Sequence, residues 1–320
     1  VITLLNTIDG SLVENFFPAA WDLEKWEAAI SDNPEDIFDR QPKWHDDFDV
    51  RVAEEVSDFD VMFGHELAME IRRTREEGRE LALILPVGPM GMYRWTRYFL
   101  SEWEVDCDHV TGFAMDEWSD SEGNTIDPDT PGSFKRALEK AFYEPLEADV
   151  DRAIPSDQRF FASKQQIKEY APRISELKAN GAKLDVVYGI GRACHIAFWE
   201  PHYGAEFDSD REWQEQTHRI GAELHPMTIE QNAITSFKSR TTKVPAYANT
   251  IGPGLFTKAD YAIGGADGEL GRGMQWQGLS LWVSLRHEKT RHIPSTWMPT
   301  LPGVLFFTRE LAGPLTAESN

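Results

Sequence analysis

Apolar side chains recur every fourth residue from Phe59 through Phe63 and Leu67 to Ile71, and Gly78 stands where a helix would stop. That spacing predicts an amphipathic helix starting near Asp58. Next comes LALILP, Leu81 to Pro86, a continuous apolar run of strand length, as expected of a strand buried on both faces. The turn Pro86-Val87-Gly88-Pro89 leads into MGMYRWTRYFL, which is predicted to open the following helix. The grammar repeats. VTGFAM, 110–115, reads as a strand ending in Asp116-Glu117, and 133–146 and 164–180 read as helices, the second stopped by Gly181. Further strands are predicted over 184–190, 261–264 and 304–308. Strands alternating with helices predict an α/β fold around a mostly parallel sheet. Ligands of such sheets bind beyond the carboxyl ends of the strands. Three loops are singled out on that ground: 87–90, 116–120 and 191–201.

Before residue 49 the pattern is different. Residues 1–48 are acidic and heavily punctuated, with one short helix predicted over Asp22–Ile30 and ended by Asn33-Pro34. The segment is expected to pack as an extension on the domain 49–320 through Phe16, Phe17, Trp21 and Trp26. No internal repeat or low-complexity tract interrupts either part.

Composition narrows the function. Of 320 residues 32 are basic and 54 acidic, a net charge of −22, so nucleic acid and anionic membranes are not expected partners. Apolar content of 41% with eleven tryptophans indicates a folded globular chain. No apolar run reaches the length of a membrane span, and no signal-peptide pattern follows Val1. Cys107 and Cys194 are too few for a disulfide framework and fit a reduced, cytoplasmic setting.

The loops carry the candidate chemistry. Asp116, directly after a buried strand, suits a general base, and equally an N-cap or surface acid in the run DEWSDSEGN. In GIGRACHIAFWEP, 189–201, His195 has Glu200 five residues on, close enough in sequence to set its tautomer. A histidine satisfied by backbone groups in a turn is the alternative. A GxG without a third glycine is weak support for a dinucleotide. Asp106-Cys107-Asp108-His109 would alternate between faces of a strand, so neither metal nor cofactor is expected.

Taken together, three segments resemble the glucosamine-6-phosphate deaminase/isomerase family, which is related to the 6-phosphogluconolactonases. LILPVGPMGMY is similar to that family's LPTGSTPLGMY, FAMDEW to its FNMDEY, and GIGRACHIAFWEP to its GxGxDGHIAFNEP. VPAYANTIGPGLFTKADYAI is similar to a fourth family segment, and the likeness runs from about Asp49 to Leu315. The lactonases carry DGHxASLFP, so Glu200 places the chain on the deaminase side. The resemblance implies a modified Rossmann-type three-layer α/β sandwich and aldose–ketose isomerisation without cofactor or metal. It implies that Asp116 moves the proton between C2 and C1, that His195 opens the sugar ring, and that Glu200 orients His195. The substrate contacts it suggests are Val87, Gly88, Met90, Glu117, Arg192 and Trp199. The expected partner is a small-molecule sugar. Relatives differ in whether they assemble, so a homo-oligomer stays open.

The chain departs from the family where phosphate is handled. The phosphate loop lacks two residues and its Ser-Thr pair, the arginine segment has no counterpart beyond the nearby Lys238 and Arg240, and the family's lysine position is Gly268. A substrate that is not a sugar 6-phosphate is therefore expected. The family's Asp-Gly before the histidine is Ala193-Cys194, which removes a carboxylate from the proton relay. Trp118 and Trp199 replace polar residues and either stack on a sugar or fill space, and Arg192 either meets an anion or is a surface residue. Three functions follow: an isomerase or deaminase of another sugar or amino sugar, a catalytically silent sugar-binding regulator, or a lactonase-like hydrolase.

Overall fold

The computed structural model describes residues 5–317; the first four and last three residues, where the expected extension begins and the expected domain ends, lie outside it. The strands are β1 (Phe48–Ala53), β2 (Leu81–Leu85), β3 (Val110–Ala114), β4 (Asp116–Ser119), β5 (Arg159–Phe160) and β6 (Lys183–Gly189), then β7 (His218–Glu223), β8 (Tyr247–Ile251), β9 (Tyr261–Ala266), the short hairpin β10 (Glu269–Gly271) and β11 (Met274–Gln275), and β12 (Gly303–Thr308). Seven form one sheet in the order β1-β12-β9-β6-β2-β3-β5, and every neighbouring pair in it is parallel. The sheet is thus fully parallel, a step beyond the expected mostly parallel arrangement.

Alternation along the strands builds two cores. Leu81, Leu83 and Leu85 join Phe59, Phe63, Leu67 and Ile71 of the helix Val56–Glu76 on one face. Ala82 and Ile84 join Trp44, Tyr170, Leu281 and Trp282 on the other. Covered on both faces, the sheet is the middle of a three-layer α/β sandwich.

A second sheet was not foreseen. β4, β8 and β7 pair antiparallel, with Asp116 opposite Thr250. The segment 116–120, expected as a loop, is therefore mostly a strand: Trp118, buried against Phe134 and Phe198, gives the acidic run an apolar face. Two helices also differ. The one expected over 133–146 runs as Phe134–Leu138, a π segment Glu139–Tyr143 and Glu144–Asp149. The π segment ends two positions before Pro145, whose missing N–H leaves the carbonyl of Ala141 without its usual helical donor. The helix expected from 164 begins as a 3₁₀ turn, Gln166–Glu169, and becomes α only at Tyr170–Ala179, with Pro172 in its first turn.

The N-terminal segment carries the helix Leu23–Ala28, capped by the Asp22 side chain, and a 3₁₀ turn Pro34–Phe38. The Trp21 indole donates to the carbonyl of His292 at 2.8 Å and its ring lies 4.0 Å from that of Trp26. Both tryptophans share a buried cluster with Ala193, Cys194, Val283 and Ile293, flanked by Phe16 and Phe17. Among the described residues no helix is long and apolar enough to cross a membrane.

Candidate active site

A cavity of about 490 Å³ opens beyond the carboxyl ends of the central strands of the parallel sheet, where a ligand of such a fold is expected. Its walls include both Asp116 and His195, together with Val87, Gly88 and Met90 of the loop after β2. That loop is fixed from below: the Tyr93 hydroxyl, inside the helix Gly91–Glu102, donates to the Pro86 carbonyl at 2.7 Å.

Asp116 is the point at which the chain leaves one sheet for the other. The N–H of Met115 still donates to Leu85 of the parallel sheet, while its carbonyl accepts from Ile251 of β8, and Asp116 opens β4. The side chain is 7% exposed, lines the cavity and has no hydrogen-bond partner among the described residues. Burial pushes its pKa well above the ordinary carboxylate value, and repulsion from Glu117 adds to the rise.

His195 is held differently. Its Nδ1 lies 2.9 Å from the Thr228 hydroxyl and 3.3 Å from the Glu200 carboxylate. Nδ1 is thus turned toward a hydroxyl and a carboxylate, and Nε2 lies on the opposite edge of the ring. That edge rests on Gly191, where a Cβ would meet Nε2 at 2.0 Å. The glycine makes room for an imidazole, then, rather than for a phosphate. Glu200 is fully buried and also accepts from the His225 N–H at 3.2 Å. Burial alone would raise its pKa; the charge and hydrogen bond of His195, the Thr228 hydroxyl and the charge of His225 outweigh it and hold the group below its ordinary value. The loop is strained on both sides of the histidine, with Cys194 at φ 58° and Ala197 at φ 52°. Finally, the Phe198 N–H donates to Thr250 Oγ1, which ties this loop to the strand opposite Asp116.

Three of the expected substrate contacts lie elsewhere. Glu117 is spent on structure: its carboxylate accepts from Ser133 Oγ and from the N–H groups of Trp118, Phe134 and Lys135, and so holds the start of the helix Phe134–Leu138. Trp199 is buried against Tyr203 and Phe207. Arg192 is half-buried, its backbone N–H donating to Gln231 Oε1 at 2.7 Å, and it does not line the cavity. Lys238 and Arg240 are exposed, beyond the helix Pro226–Thr235, and do not line it either. Asp106 and Asp108 pair with Arg75, while His109 reaches Thr74 at 3.1 Å, a structural cluster away from the cavity. Among the described residues no group of three or more His, Cys, Asp or Glu could hold a metal ion.

Other wall residues escaped the sequence reading: Asp267, Glu269, Trp276 and Gln277. Asp267 and Glu269 flank Gly268, the position of the family's lysine, which the sequence reading marked for the missing cation and not for the side chains beside it; Trp276 and Gln277 follow further along the stretch after β9. With them, the charged groups of the wall are three carboxyls, Asp116, Asp267 and Glu269, beside His195; no lysine or arginine lines the cavity among the described residues.

No family model matches the chain. It is 25% identical over 225 residues to the glucosamine-6-phosphate deaminase of Halothermothrix orenii, covering 70% of this chain and 83% of that protein. To the enzyme of the same name from Thermoanaerobacter pseudethanolicus it is 24% identical over 232 residues, 72% of this chain and 81% of the other. Among solved structures, a monomeric glucosamine-6-phosphate deaminase superposes with a TM-score of 0.64 at 17% identity, over 82% of this chain and 98% of that one. A 6-phosphogluconolactonase from Trypanosoma cruzi gives 0.57 at 14% identity, over 84% and 97%.

Proposed function

We propose that this chain, a divergent relative of the glucosamine-6-phosphate deaminases with the fold they share with 6-phosphogluconolactonases, is an aldose–ketose isomerase of a sugar or amino sugar without a 6-phosphate. Deamination accompanies the isomerisation where the substrate carries nitrogen at C2. One observation carries the reading: Asp116 and His195 share one cavity, and no cation lines it among the described residues.

The division of labour follows from the environments. Converting an open-chain aldose to a ketose moves a proton from C2 to C1. Asp116, dry and without a partner, is a stronger base than a solvated carboxylate, which suits removal of a carbon-bound proton and its return one atom away. His195, with a carboxylate behind Nδ1 and Nε2 on the opposite edge of the ring, is suited to accept and return the proton that ring opening requires. Glu200 positions the ring without touching the ligand. A phosphate would face carboxyls with no cation in the wall to balance it, which favours an unphosphorylated substrate.

One observation favours a second reading, a silent sugar-binding protein. Ala193 is fully buried where the resemblance calls for an aspartate, so the relay behind His195 rests on Glu200 and Thr228. Incubation with plain, amino and phosphorylated aldoses in deuterated water decides between them. Formation of the ketose with deuterium at its C1, deuterium at C2 of the recovered aldose, and ammonia from amino sugars is the expected result. Thermal stabilisation by a sugar without any exchange would overturn the isomerase in favour of the binder.

A further inference from the structure

Asp116 and His195 occupy only part of the cavity. Beyond β9 its wall continues through Asp267, Gly268 and Glu269, and Trp276 and Gln277 follow the hairpin strand β11. In the sheet order β9-β6-β2-β3, Asp267 and Asp116 follow strands three spacings apart, roughly 14 Å at about 4.8 Å per strand. The cavity therefore has two acidic ends with His195, from the loop after β6, between them.

Among the described residues the carboxyls at the β9 end have no cationic partner. Among the described residues no hydrogen bond from another residue reaches the Asp267 carboxyl, and Glu269 Oε1 is buried without a partner. A third carboxyl stands behind them. Asp60 presses on Gly91 at the mouth of its helix, where a Cβ would meet the carboxylate at 2.0–2.3 Å. Burial pushes Asp267 up to about 6, helped by the charges of Asp60 and Glu269. Arg272, at the exposed turn of the hairpin, is not in the wall. The wall itself is well fixed: Gln277 accepts from the Gly268 N–H at 2.8 Å and donates to the Ile190 carbonyl at 2.6 Å, while the Trp276 N–H donates to Gly268 at 3.0 Å.

We propose that this end of the cavity binds a protonated primary amine, so that the substrate is a sugar with a cationic amino group remote from the carbon that is isomerised. The inference rests on the isomerase reading for the word substrate, but the binding claim stands without it. An ammonium brings three donors and a positive charge to carboxyls that have neither, and the Trp276 ring adds a face on which a cation is attracted. A hydroxyl satisfies one acceptor and leaves the charge unbalanced. A phosphate at the same place meets like charge. Asp116, nine-tenths buried and equally unpartnered, faces the same cavity from its other end.

The test is calorimetric titration of the intact protein with three matched sugars, 6-amino-6-deoxyglucose, glucose and glucose 6-phosphate, and with inorganic phosphate. The amino sugar is expected to bind about tenfold or more tighter than glucose, as one charge-assisted hydrogen bond predicts, and the two phosphates more weakly than glucose. Asp267→Asn should bring the amino sugar to within about twofold of glucose, while its thermal midpoint stays level or rises because an unpaired carboxyl is gone. Failure of the amino sugar to bind, affinity equal to that of glucose, or tighter binding of the phosphate ester overturns the proposal. A clear amine preference with no C2 deuterium in any bound sugar would sink the isomerase reading and leave this one standing.

Discussion

Asp116 and Glu200 are the same functional group at nearly the same burial, 7% and 0% exposed, and their pKa values move in opposite directions. Asp116 has no hydrogen-bond partner among the described residues and a like charge beside it, so desolvation prevails and its pKa rises. Glu200 faces His195 at 3.3 Å with Thr228 and His225 around it, and these outweigh desolvation. Burial sets what charge costs; the neighbours decide whether that cost is met. The two sides of the cavity thereby acquire different chemistry: a carboxyl of raised pKa on one, and on the other a histidine whose Nδ1 edge faces a carboxyl of lowered pKa.

The largest effect is expected from Asp116→Asn. Deuterium exchange at C2 should fall by about 10²–10⁴-fold, the usual worth of a positioned base, while the fold gains stability at neutral pH. The sign follows from the raised folded pKa. In the native protein Asp116 costs nothing below its ordinary 3.8 and becomes increasingly unfavourable as the pH rises above it, so the variant's advantage in thermal midpoint should be present at pH 7 and vanish near pH 3.5. Exchange at the native rate would dissolve the comparison altogether.

Gly191→Ala comes next. A Cβ within 2.0–2.3 Å of three imidazole atoms must displace the ring, and a misplacement of this order costs about 100-fold in turnover. Gly189→Ala is the control, since its added Cβ finds nothing nearer than 3.6 Å. If both behave alike, His195 is not where the chemistry is.

Glu200→Gln sharpens the other half. Losing the charged partner of His195 should lower stability by about 1.5–3 kcal/mol at pH 7. Because the folded pKa of Glu200 lies below its ordinary 4.5, the contribution is present above that pH and lost as the pH falls through the lowered value. Urea unfolding of the two proteins should differ at pH 6 and converge below about pH 4.5. Convergence at neutral pH instead would mean that Glu200 is not ionised in the native state.

The smallest effect concerns the strained backbone beside the histidine. Cys194→Ala keeps the left-handed conformation at φ 58° and loses the sulfur, whereas Cys194→Gly loses the sulfur and the strain together. The glycine variant should be about 1 kcal/mol more stable than the alanine variant. Equal thermal midpoints would show that the surrounding packing bears no strain there.

Much of this was legible along the chain, and the exceptions have physical causes. The fourfold spacing from Phe59 to Ile71 and the apolar runs of β2, β3 and β6 announce buried helices and strands, because a segment covered on both faces must be apolar throughout. β4 is only four residues long and β7 carries polar residues along its length, so nothing local separates them from loops; their pairing with β8 defines them. Glu117 looked like a ligand because it adjoins Asp116, yet alternation along β4 turns it away from its neighbour and toward a helix start. Arg192 and Trp199 misled for the same reason: proximity in a motif is not a shared direction. Asp267 and Trp276 could not be found by spacing, since they lie more than seventy residues from His195 and meet it only through the order of the strands.

What the amino-acid order determined by itself was the layered α/β class and two of the three loops at the strand ends, 87–90 and 191–201, because hydrophobic periodicity is local and burial reads it directly. It also exposed the loss of phosphate-binding residue types, a matter of composition at known places. Only the tertiary structure decided which side chains share the cavity, that its charged wall holds carboxyls without a cation among the described residues, and that the pKa values of Asp116 and Glu200 move in opposite directions. Those properties depend on distances between groups far apart in the chain, and electrostatic interactions between them are set by distance and burial and not by sequence.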